Sequence, residues 1–145
     1  MPWKIPARRL GLALIALSPI LALAADPVAK APGIEGAELM TRDVTGNPGK
    51  EALMLTVTYQ AGGASLPHRH DAQVFVYVLE GEMTMQVDGS APVTLHAGQT
   101  FYEGRDDIHR VSANASKTTP AKILVFMIKD KGKPDTRRVT EPAKS

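Results

Sequence analysis

The chain has 145 residues, with 17 Lys and Arg against 15 Asp and Glu, four His and no Cys. At about 150 residues per domain there is room for one domain, and without cysteine any bound metal must be held by His, carboxylate or amide groups. The basic pI of 9.0 arises at the two ends, because residues 25–128 carry eight basic against twelve acidic side chains, so nucleic acid is set aside as a partner.

Lys4, Arg8 and Arg9 precede Leu10–Leu23, an apolar run interrupted only by Gly11, Ser18 and Pro19, and Ala22-Leu23-Ala24 follows. A basic start, a short apolar stretch and a small-residue A-x-A site describe a secretory signal peptide, residues 1–24, cut after Ala24. A run of fourteen residues falls short of the roughly 20 that a spanning helix needs, and Pro19 interrupts helix continuity. The expected product is periplasmic or secreted, with no membrane association after cleavage. Residues 25–36, rich in Ala, Pro and Gly, read as a flexible lead-in to a domain over 37–129.

From there the hydrophobic period is two. Leu53, Leu55, Val57 and Tyr59 alternate with Met54, Thr56 and Thr58, and Val74–Leu79 is apolar throughout, as expected for a strand buried on both faces. Met83, Met85 and Val87 alternate with Thr84 and Gln86 before the hairpin signal Asp88-Gly89. Pro92–Leu95, Thr100–Glu103, Ile108–Ser112 and Lys122–Ile128 are further short strands bounded by turn residues. Many closely spaced strands without helical periodicity predict an all-β sandwich or barrel. Residues 130–145, polar and interrupted by Pro, read as a fraying tail.

Three histidines fall where chemistry is plausible. His68 and His70 in Pro67-His68-Arg69-His70 are two apart at a strand entrance, so both imidazoles face one side while Arg69 faces the other. His109 also enters a strand. Three neutral imidazoles on one concave β-face form a site for Zn, Fe, Ni, Cu or Mn. His96 sits in a turn and reads as solvated. Tyr77 and Tyr102 suit either the lining of a pocket or packing between subunits, and packing is favoured because only seven aromatics are present and a barrel needs bulk. Asn114-Ala115-Ser116 matches a glycosylation acceptor only as a three-residue pattern.

Gly62-x5-His68-x-His70 with Gly81, followed by Gly98, His109 and Asn114, resembles the two signature motifs of the cupin superfamily, G-x5-H-x-H-x3,4-E-x6-G and G-x5-P-x-G-x2-H-x3-N. Val76–Glu82 and Phe101-Tyr102-Glu103 are most similar to small single-domain cupins of the quercetin-dioxygenase-like kind. The resemblance implies an antiparallel jelly-roll β-barrel with the metal inside, and a homodimer is common in the family. The departures bear on function. The position of the first motif's glutamate, seven before Gly81, is Val74. Its neighbour Gln73 would reach the barrel interior only through a bulge near Asp71-Ala72. Glu103, six before His109, is the leading replacement, since a carboxylate facing the barrel is costly unless paired or metal-bound. An ion pair with Arg105 or Arg110 is the competing reading. The expected ligands are His68, His70 and His109, with Glu103 ahead of Gln73 for the fourth place, and Glu103 is also the candidate catalytic residue.

These residues imply a divalent transition metal and a small-molecule ligand or substrate. The resemblance makes a dioxygenase of enol, ketone or phenolic substrates the first expectation, with metal-assisted isomerisation or elimination as other chemistries. The alternative is a non-catalytic module that binds a metal or a small ligand. The substituted loop Gly104–Asp107, which replaces the second motif's Pro and Gly, fits that alternative.

Overall fold

The computed structural model describes residues 32–139; the expected signal peptide over residues 1–24, the start of the lead-in and residues 140–145 of the tail lie outside them. The described residues form ten strands and no helix: β1 (Ile34–Asp43), β2 (Lys50–Tyr59), β3 (His68–Arg69), β4 (Ala72–Glu80), β5 (Glu82–Val87), β6 (Val93–His96), β7 (Thr100–Glu103), β8 (His109–Asn114), β9 (Ala121–Asp130) and β10 (Arg137–Arg138). All pairings are antiparallel, and the strands make two five-stranded sheets, ordered β1-β2-β9-β4-β7 and β10-β3-β8-β5-β6. This is the all-β architecture expected from the alternation and turn spacing, in the jelly-roll form that the resemblance implies.

The core forms where inward positions of the two sheets meet. Ala72, Val74, Val76 and Val78 of β4 and Ala121, Ile123, Val125 and Met127 of β9 point inward, opposite Met83 and Met85 of β5. Gly81 makes the tight turn from β4 to β5 with φ of +72°, and a Cβ there would lie 2.8 Å from the Pro120 carbonyl oxygen. Both facts exclude a side chain at this position. Asn114, 5% exposed, staples the end of β2 to the β8–β9 loop: its amide donates to the carbonyls of Tyr59, Gln60 and Thr119, and its oxygen accepts from Ser116 N–H. This buried, saturated amide is a structural joint rather than a sugar acceptor.

Three expectations are corrected. β4 is buried on one face only, because Phe75, Tyr77 and Leu79 alternate outward and are 43%, 43% and 38% exposed. On that outer face Phe75 packs between Tyr102 and Phe126, at ring separations of 5.2 and 6.1 Å. A chain segment that would cover this face is absent among the described residues, so apolar composition on both sides of the strand does not translate into burial. Second, regular structure begins at Ile34, inside the expected lead-in; β1 escapes notice because it is an exposed edge strand with few apolar residues.

Third, residues 130–139 do not fray. Arg137 and Arg138 pair with Arg69 and His68, and Val139 N–H donates to the Pro67 carbonyl. The strap is anchored by Lys129, which is 6% exposed. Its ammonium reaches Glu51 at 2.7 Å and Asp135 at 3.1 Å and donates to the Lys133 carbonyl. Burial works against the charge on Lys129, but its bonds to Glu51 and Asp135 outweigh that and raise its pKa.

Candidate metal centre

Strand pairing assembles the site. His68 lies directly opposite His109 across β3 and β8, so their side chains share a face, and His70 joins them two residues after His68. The His68 ring centroid is 4.9 Å from that of His70 and 5.0 Å from that of His109. One nitrogen from each of the three lies within 4.8 Å of the others, a spacing that fits ligands around one ion.

The hydrogen bonds of the outward nitrogens decide which atoms face inward. His68 Nδ1–H donates to the Leu66 carbonyl, 2.8 Å away, and His70 Nδ1–H donates to the Asp135 carbonyl of the strap. Each bond fixes the tautomer that leaves an Nε2 lone pair for the centre, a common orienting device for metal-binding histidines. Burial pushes His68 down to about 4, with the Leu66 bond opposing and the neighbouring His70 and His109 adding to the drop. Its imidazole is therefore neutral, as a ligand must be, at ordinary pH.

Glu103 comes from β7, which pairs with β4 so that Glu103 lies directly opposite Val74. The neighbouring strand thus delivers a carboxylate beside the position where the motif glutamate is missing. Glu103 is 2% exposed, with Oε2 at 3.0 Å from His109 Nδ1 and 3.6 Å from His70 Nε2. Burial raises its pKa, but contact with His109 and the field of the imidazoles prevail and hold the carboxyl below the usual range. The competing ion-pair reading fails, because Arg105 is taken by Asp130 and Arg110 holds Asp88 with two bonds. Gln73 is corrected as a ligand candidate. It alternates outward between buried Ala72 and Val74 and is exposed, and the irregularity in β4 falls at Val78–Glu80 instead of Asp71-Ala72.

The buried atoms here fit a metal. Glu103 Oε2 and both ring nitrogens of His109 make no geometrically aligned hydrogen bond. Buried polar atoms without partners are costly, and a cation set among three nitrogens and a carboxylate oxygen would satisfy Glu103 Oε2 and one of the two His109 nitrogens. His96 is placed as expected, exposed and 3.1 Å from Glu82.

The site opens on a cavity of about 800 Å³ between the two sheets, walled by Leu55, Val57, Val76, Ile123, Val125 and Met127. Its polar lining includes Tyr59 and Ser112, whose hydroxyls lie 2.8 Å apart, and the strap residues Asp135 and Arg138. Sequence reasoning missed the strap residues because a charged stretch with Pro134 reads as solvent-facing. The inward direction of Tyr59 is carried by its alternation with Thr58.

A sequence profile described as "Cupin domain" matches residues 55–127, half of the chain. No curated protein sequence matches significantly. Among solved structures, an oxalate oxidase in complex with a substrate analogue, glycolate, superposes with a TM-score of 0.58 at 27% identity, covering 81% of this chain and 63% of that one. A recombinant oxalate oxidase in complex with glycolate gives 0.57 at 27% identity over 73% of this chain and 55% of that one. The chain therefore spans little more than half the length of these oxalate oxidases. The polyketide cyclase RemF from Streptomyces resistomycificus gives 0.59 at 19% identity, over 78% of this chain and 75% of that one, which speaks for the fold alone. The family match over the segment that carries His68, His70, Glu103 and His109, on an antiparallel jelly roll, establishes that this chain belongs to the cupin superfamily.

Proposed function

We propose that this cupin is a metal-dependent enzyme for a small organic molecule, with oxidative chemistry of the dioxygenase type as its leading reaction. One observation carries the reading: three imidazoles and a buried carboxylate without an arginine or lysine partner among the described residues converge on an otherwise mainly apolar cavity of about 800 Å³. His68, His70, His109 and Glu103 would hold a divalent transition metal. When bound, it would polarise a substrate oxygen and, in the case of iron, give access to dioxygen chemistry. The chain's own residues do the rest. Leu55, Val57, Ile123 and Val125 exclude water and take up the organic body, while the Tyr59–Ser112 hydroxyl pair offers a hydrogen bond inside the cavity. Similarity to oxalate oxidases solved with glycolate supports a small, oxygen-bearing substrate.

A second reading, a binding module without turnover, draws on one feature. Glu103 and Asp135 are the only carboxylates lining the cavity among the described residues, and Asp135 is held by Lys129. If Glu103 serves as ligand, the cavity has no spare base. Oxygen uptake by the iron-loaded protein separates the two. With a flavonol or an enolised β-diketone, the enzyme reading expects uptake that Glu103→Ala abolishes while the circular-dichroism spectrum is unchanged. An inert wild type that still binds these compounds would favour the module.

The uncovered face of β4 and its neighbours supports a homodimer. Phe75, Tyr77, Leu79 and Tyr102 form a contiguous apolar surface of the sort that marks an interaction site. Sedimentation should give twice the chain mass, and Tyr102→Glu should give the monomer; a monomeric wild type would refute this assembly.

A further inference from the structure

The strap places one further side chain beside the centre. Arg138 on β10 is the direct cross-strand partner of His68, which is in turn the partner of His109. The three residues form one row across β10, β3 and β8, and partners in such a row share a face. Arg138 accordingly lines the cavity, whereas its neighbour Arg137 turns to the outer side and is bonded to Asp71. The surrounding carboxylates are already engaged: Asp71 by Arg137, Asp130 by Lys50 and Arg105, and Glu51 and Asp135 by Lys129. Arg138 makes no ion pair or side-chain hydrogen bond with any described residue. An exposed cation at the rim of a mainly apolar cavity, next to three metal-ligand candidates and without a partner among the described residues, is equipped to meet an anion.

We propose that Arg138 is a specificity residue that receives the carboxylate of the substrate, so that the preferred ligand is a carboxylic acid with an oxygen donor near the acid group and an apolar body. The planar guanidinium matches a carboxylate with two parallel bonds. The apolar walls match a hydrocarbon or aromatic body, and a cavity of about 800 Å³ has room for a ligand well beyond a two-carbon acid. Carboxylate is favoured over phosphate because there is no helix N-terminus among the described residues to cradle additional oxygens. This inference rests on the metal-site reading for the second donor but on the strap alone for the anion.

The test uses cobalt(II)-reconstituted protein, titrated calorimetrically with mandelate and with its neutral amide, mandelamide, in the wild type, Arg138→Met and Arg138→Lys. The wild type should bind mandelate at least tenfold more tightly than mandelamide. Arg138→Met should remove that preference with cobalt content and mandelamide affinity unchanged, and Arg138→Lys should retain part of it. Equal affinities in the wild type, no binding of mandelate, or a preference that survives Arg138→Met would overturn the proposal. Tighter binding of phenylphosphonate than of mandelate would overturn the carboxylate assignment. If the wild type takes up no cobalt, the metal reading fails by itself. The same titrations on metal-free protein then decide the role of Arg138: a preference for mandelate lost in Arg138→Met supports it, and no preference overturns it.

Discussion

Replacing His109 by alanine is expected to strip the protein of its divalent metal. His109 is 3% exposed, stands opposite His68 and has both ring nitrogens without an aligned hydrogen bond. Structural packing therefore gives this ring little polar reward for its burial, and a metal bond gives it one. Losing a group that merely orients a ligand already costs about 10- to 100-fold in affinity, so losing the ligand should cost at least the upper end of that range. After dialysis, His109→Ala should retain less than about a tenth of the wild-type metal on that scale. The fold should survive, because the space vacated by the imidazole opens into the existing cavity. Unchanged metal content in this variant would remove His109 from the ligand set.

Moving the carboxylate across the strand pair is the second large effect. Glu103→Val leaves three imidazoles and should weaken metal binding at least tenfold, within the range seen for lost supporting groups. Adding Val74→Glu should then restore most of the affinity. Val74 and Glu103 are direct partners of β4 and β7, both buried, so the exchange returns the same two side chains to the same wall with the carboxylate on the other strand. Failure of the double variant to recover, with the single variant impaired, would show that the acid must approach from β7. An unimpaired single variant would remove Glu103 from the ligand set.

The legible parts of this molecule were those written in local spacing. The pair His68 and His70 follows from the two-residue strand period, and the inward faces of β2 and β5 follow from alternation. Glu103 was legible indirectly, through the vacancy at Val74. What placed it beside that vacancy is the β4–β7 register, a long-range pairing that no local pattern encodes. The strap was illegible for the same reason. Its order depends on Lys129 lying opposite Glu51 across β9 and β2 and reaching Asp135. Without those partners, residues 130–139 look like any charged, Pro-containing tail. The outer face of β4 misled in the other direction. Phe75, Tyr77 and Leu79 have the composition of buried residues but no cover among the described residues, and composition alone does not say which face of a strand is covered.

The central claim is that His68, His70, His109 and Glu103 form one metal site, and the most direct measurement is elemental analysis of the untagged protein. It should be purified without chelator, then exposed in separate portions to Fe, Ni, Mn, Cu and Zn and dialysed. The account predicts close to one equivalent of at least one of these ions per chain, on the spacing of a single three-histidine cluster. Wild-type protein that retains none of the five would contradict it, and the barrel would then have to bind its ligand with Arg138 and the cavity walls alone.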